Sequence, residues 1–101
     1  MNVVMMTGEV VSAPNAKAAS DGTPKTSFGI EVDGGRLPLR FSVLCFGGAA
    51  NIAARLVEGD YVALSGRLSA HAVSRTITLI ANNIEKLTEE NQNEDSNQTS
   101  S

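Results

Sequence analysis

The chain has 101 residues, 42% apolar and 19% charged, with a net charge of −3. That composition describes one globular domain with a modest core, too small to divide in two. It excludes a membrane-spanning helix, because no apolar run approaches the roughly 20 residues one needs, and it lacks the strong positive field of a high-affinity nucleic-acid binder.

The acidity is local. Residues 1–87 hold all eight Lys and Arg against seven acids, whereas Glu89, Glu90, Glu94 and Asp95 lie beyond them. The body is therefore near neutral. Met1–Met6 has neither a basic flank nor a long apolar region, so no secretory signal is expected there. Cys45 is the single cysteine. It cannot form an internal disulfide, which suits a reducing compartment, and mid-strand it reads as a small buried hydrophobe.

In chain order, residues 2–11 form the first predicted strand, with Gly8 marking a bulge or a close backbone approach. Pro14 interrupts it, and residues 15–19 support no single assignment. Asp21-Gly22 supplies a tight turn with positive φ. Residues 25–32 alternate Phe28, Ile30 and Val32 with polar or small residues, the pattern of a half-buried second strand. Asp33-Gly34-Gly35 then predicts a tight link to a third strand over residues 37–46. Within that strand Leu39, Phe41, Val43 and Cys45 are assigned to the core, which leaves Arg40, Ser42, Leu44 and Phe46 facing outward. An exposed aromatic beside a basic residue is the simplest part of a single-strand binding platform. Phe46 next to a glycine bend equally suits packing on a helix or a partner subunit.

Residues 51–57, with Ala49, Ile52, Ala53 and Leu56 at helical spacing, predict a short helix closed by Gly59 as its left-handed cap. Residues 61–68 alternate again, with Val62, Leu64 and Leu68 on one face and Tyr61, Ser65 and Arg67 on the other. A short link holding His71 leads to a fifth strand over residues 72–86. Residues 88–101 contain no hydrophobic residue and read as a disordered, solubilising acidic tail, separate from a domain at 1–87. A strand, one short helix and a strand in a β-rich chain of this length predict an all-β class: a small five-stranded barrel with the helix plugging one end.

No catalytic or cofactor-binding set is present. There is no phosphate loop with a lysine, no Ser/His/Asp signature, and a lone His71 without a cysteine cluster is no metal site. A binding or assembly role is more economical than an enzyme, with no cofactor and no metal.

Met1–Gly8, the Gly22-Thr23 approach to Phe28, residues 41–47 with the helix that follows, the block Gly59-Asp60-Tyr61-Val62-Ala63-Leu64-Ser65-Gly66-Arg67-Leu68 and the closing residues 80–87 together resemble the bacterial single-stranded DNA-binding proteins, in the short form of cyanobacteria and plastids. The likeness is continuous over residues 1–87. It implies a five-stranded OB-fold with one helix between the third and fourth strands, a cytoplasmic nucleoid or plastid-stroma location, a homo-oligomer (dimer or tetramer, with Tyr61 and Ala63 as a partner surface), and single-stranded DNA as partner. It also implies roles in replication, recombination or repair. The departures concern function. Only Phe46 falls on a base-stacking position; Arg40 and Val73 stand where the family carries tryptophan, and the binding loops are short. Stacking contributes roughly 1–3 kcal/mol per base, so losing two or three contacts implies reduced affinity. The remaining contacts would come from Lys25, Arg36, Arg40, Arg67 and Arg75, electrostatic and sensitive to salt. The alternative is an OB module used for protein assembly, like the primosomal replication protein, with little or no DNA binding.

Overall fold

The computed structural model describes residues 1–70, 73, 74 and 76–87. The order of elements is β1 (Val4–Val10), β2 (Asn15–Ala18), β3 (Pro24–Val32), β4 (Leu39–Phe46), α1 (Gly48–Ala53), β5 (Tyr61–Ala70) and β6 (Ile77–Lys86). Five strands close a ring: β1 pairs with β5, β5 with β6, β6 in parallel with β4, β4 with β3, and β3 back with β1. This is the expected five-stranded OB-fold barrel, with the helix between its third and fourth strands. β2 is an added edge strand hydrogen-bonded to β3 alone. It forms because the Asp21-Gly22 turn works as the sequence predicts. Gly22 takes a φ of 90°, the Thr23 N–H donates to the Asp21 carboxylate at 3.0 Å, and residues 15–18 fold back in register on 24–27.

Closure requires β1 to serve two partners, and Gly8 permits it. A side chain there would collide with the Glu31 carbonyl oxygen and with the Ile30 and Val32 side chains, so the strand crosses β3 at contact distance. A second close approach sits at Gly66, where a Cβ would strike the backbone of Ile80 and Ala81. The β5–β6 register skips Asn82 at this point, a bulge that tightens the twist of the sheet. The N-terminus is tied down by Asn2. Its side-chain amide donates to the Leu68 carbonyl at 2.7 Å and accepts from the Leu68 N–H at 3.0 Å, extending the β1–β5 ladder in register.

Val10, Phe28, Ile30, Val43, Cys45, Val62, Leu64, Leu79, Ala81 and Ile84 fill the interior, with Ala50, Ala53 and Leu56 closing one end. The predicted faces of β3, β4 and β5 are those observed, except that Leu39 lies exposed at the barrel mouth. Several boundaries differ. The third barrel strand starts at Leu39 rather than residue 37, because Pro38 has no N–H to donate. The β3–β4 link consequently spans residues 33–38 and is not a tight two-residue turn. The helix begins at Gly48 and ends at Ala53, earlier than residues 51–57. It buries Ala50 and Ala53 while Ile52 faces solvent. The physical reason is its start: Gly47 (φ 65°) turns the chain out of β4 directly into the helix, and the Asn51 N–H donates to the Gly47 carbonyl. Gly59 (φ 98°) does not cap this helix, which ends on right-handed Ala54; it serves a later turn in which the Asp60 carboxylate accepts the Val57 N–H at 2.9 Å. β5 extends to Ala70 and β6 begins at Ile77, not near residue 72, so exposed Val73 and Ser74 lie in the connecting turn. His71, Arg75 and the tail at 88–101 lie outside the described residues.

Candidate nucleic-acid interface

Of the residues singled out from the sequence, Lys25, Arg40, Phe46 and Arg67 fall on the outer surface of β3, β4 and β5, and the pairing registers place them relative to one another. Residues directly opposite in a ladder point to the same face, with Cβ atoms about 4.5–5.5 Å apart. Lys25 of β3 pairs with Phe46 of β4. On the other side, Lys25 pairs with Lys17 of β2. The outer face therefore carries a row Lys17–Lys25–Phe46, two ammonium groups and then an aromatic ring. The next row runs Asn15–Ser27–Leu44–Ile80–Arg67 across five of the six strands. Leu44 and Ile80 are half-buried and give this row a flat apolar centre beside Phe46. From Lys17 to Arg67 the surface crosses four strand spacings, about 19 Å at the usual 4.8 Å per strand.

Phe46 is 42% exposed. Its backbone is held in the sheet, because the ladder continues past it: the Gly47 N–H donates to the Pro24 carbonyl at 2.9 Å. An aromatic ring on a sheet with cations on one flank can stack a base while the neighbouring phosphates meet the cations. Among the described residues, neither Lys17 nor Lys25 forms an ion pair. Lys17 was not among the residues picked out from the sequence. Its only signal there was a basic residue in a segment with no clear assignment, and the β2–β3 register is what brings it to the site.

Arg40 and Arg36 are placed differently. Arg40 does share the outer face, as expected, and lines a shallow groove of about 420 Å³ with Ser12, Asn15, Ser27, Gly29 and Ser42. The groove exists because the β1–β2 connection docks on Gly29, whose N–H donates to Ser12 Oγ at 2.8 Å. But the Arg40 guanidinium is engaged: its Nε donates to Glu31 Oε2 at 3.2 Å. Arg36 is exposed in the 33–38 link, at the end of β3 and β4 remote from Phe46. The structure thus gathers Phe46, Lys25 and Arg67 with Lys17, sets Arg40 at the other end of the face, and leaves Arg36 apart.

Behind the face, Cys45 is buried, and desolvation pushes its thiol up to about 11. It stays protonated near neutral pH and takes no part in surface chemistry. Among the described residues no group of three or more His, Cys, Asp or Glu side chains is placed to hold a metal, and no helix is long and apolar enough to cross a membrane.

Solved structures with the same barrel include the single-stranded DNA-binding domain of a Synechococcus sp. protein. It is 28% identical over 83% of this chain and 93% of that one, with a TM-score of 0.75. The chain has the fold of the single-stranded DNA-binding proteins. The single-stranded DNA-binding protein of Thermus aquaticus matches with a TM-score of 0.79 and 24% identity over 88% of this chain, which spans only 41% of that longer protein. The protein priB from Ralstonia solanacearum shares the fold at a TM-score of 0.73 with 13% identity, over 86% of this chain and 99% of that one. No protein-family model and no curated protein matches the sequence.

Proposed function

We propose that this protein binds single-stranded DNA without sequence preference, and with lower affinity than a binder with several stacking aromatics. The observation that carries this reading is the row Lys17–Lys25–Phe46, continued by Leu44, Ile80 and Arg67, on a barrel that resembles single-stranded DNA-binding domains. Phe46 stacks one base. Lys17, Lys25 and Arg67 meet phosphates on either side of it, with Arg36 and Arg75 as further electrostatic contacts. One aromatic in place of several leaves roughly 1–3 kcal/mol of stacking, so binding is expected in the micromolar range and falls steeply with salt. Such a protein acts without catalysis, as a homo-oligomer, where single strands are exposed in the cytoplasm during replication, recombination or repair.

The test is fluorescence anisotropy of a labelled oligo-dT of about 35 nucleotides, long enough for several OB folds, titrated at low and then physiological salt. The label belongs on the DNA because the chain has no tryptophan. Binding that weakens on Phe46→Ala and on Lys25→Ala supports the proposal. Absence of binding even at low salt excludes it and favours a protein-assembly role.

A further inference from the structure

The positive charges on this face are not equally available, and one carboxylate makes the difference. Glu31 and Arg40 are register partners across β3 and β4, and Arg40 Nε donates to Glu31 Oε2 at 3.2 Å. Glu31 is also the register partner of Glu9 on β1. Like charges placed directly opposite destabilise a sheet, and Arg40 is the cation that offsets them. Along the row Glu9–Glu31–Arg40 there are therefore two carboxylates to one guanidinium. At the other end of the face Lys17 and Lys25 stand side by side, with no ion pair among the described residues.

A phosphate approaching Arg40 meets a guanidinium already occupied and two negative charges in the same row. The Arg40 side chain is 70% exposed, and an ion pair so open to solvent is weak. Arg40 is thus held by a bond that exchanges readily, and the carboxylate beside it is the obstacle. Resting on the nucleic-acid reading of this face, we propose that Glu31 sets its affinity. It sequesters Arg40 and repels the backbone, so the strand engages the Lys17–Lys25–Phe46 end and gains nothing from Arg40 in the native protein.

The test compares the full chain with Glu31→Gln, Arg40→Ala, the double variant, and Glu58→Gln as a control. Glu58 is exposed in the turn between α1 and β5, so its loss changes the net charge equally without touching Arg40. Each is titrated against labelled oligo-dT over a range of salt. One additional phosphate contact on a single strand steepens the log–log salt slope by about 0.7, which is about an 8-fold gain in affinity near 50 mM salt. Glu31→Gln is expected to show that gain and that slope, Arg40→Ala alone to change little, and the double variant to lose the gain. A comparable gain from Glu58→Gln, or a gain that survives in the double variant, overturns the proposal by reducing it to bulk charge or plain repulsion. Unchanged binding by Glu31→Gln, while Phe46→Ala weakens it, overturns the proposal and leaves the nucleic-acid reading standing. Failure of every variant to bind overturns both.

Discussion

Cys45 and Phe46 are neighbours in sequence with opposite fates, because alternate residues of β4 face opposite sides of the barrel wall. Phe46 points out, and its replacement by Ala is expected to weaken binding of oligo-dT about 5- to 150-fold, the equivalent of one lost stacking contact. Lys17→Ala, by contrast, is expected to weaken it uniformly and to lower the salt slope by about 0.7. Anisotropy titrations at several salt concentrations separate the two effects. Cys45 points in, and burial raises its thiol from 9.0 to about 11. The native state then keeps a proton that the unfolded chain releases. This contribution is complete below pH 9.0 and is lost as the pH rises towards 11. Urea unfolding of the native protein and of Cys45→Ala should differ by a constant amount up to pH 9. Above it the difference should shrink by about 1.4 kcal/mol per pH unit. A constant difference through pH 11 would show that the thiol titrates normally.

At the scale of elements, the barrel depends on places where two backbones touch. Gly66 is the clearest, since its missing side chain leaves room for Ile80 and Ala81 at the bulge. Gly66→Ala should lower stability by about 3 kcal/mol, the upper part of the range for overpacking, because the obstructing atoms are backbone and cannot rotate away. Gly22→Ala makes the same chemical change in open space and meets only the cost of positive φ, about 1–2 kcal/mol. Denaturation midpoints that fail to order the two variants this way would count against the bulge as a closure device. Besides the packing of Ala50 and Ala53, one buried side-chain hydrogen bond among the described residues joins the helix to the wall. Thr26 Oγ1 donates to the Ala50 carbonyl at 2.8 Å, and that carbonyl keeps its bond from the Ala54 N–H. Thr26→Val should therefore cost only about 1 kcal/mol by urea unfolding; a loss several times larger would mean that this one bond holds the helix in place.

For the whole molecule, the opposite outer face, on β1, β5 and β6, exposes Met5 and Tyr61 around Ala63. This is the proposed contact between copies. Light scattering after gel filtration should give a dimer or tetramer at micromolar concentration, and Tyr61→Glu should shift it towards monomer. A clean monomer for the native protein would remove the contact.

Much of this architecture was legible in the sequence because local chemistry enforces it. Alternation assigned the core faces of β3, β4 and β5, since a register slip of one residue would bury every polar side chain. Asp21-Gly22 announced its turn, and Gly8 its close approach. The helix was legible as an element but not in its limits: four apolar residues fit two overlapping frames, and the bend at Gly47, set by where β4 ends against β3, selected one. β2 was not legible, because Asn15–Ala18 is exposed throughout and carries no hydrophobic pattern. The same absence hid Lys17. Phe46, Lys25 and Arg67 could be named from the sequence as candidates. Only the registers of four ladders could join them with Lys17 and pair Arg40 with Glu31, because residues many positions apart acquire a common face only when the barrel closes.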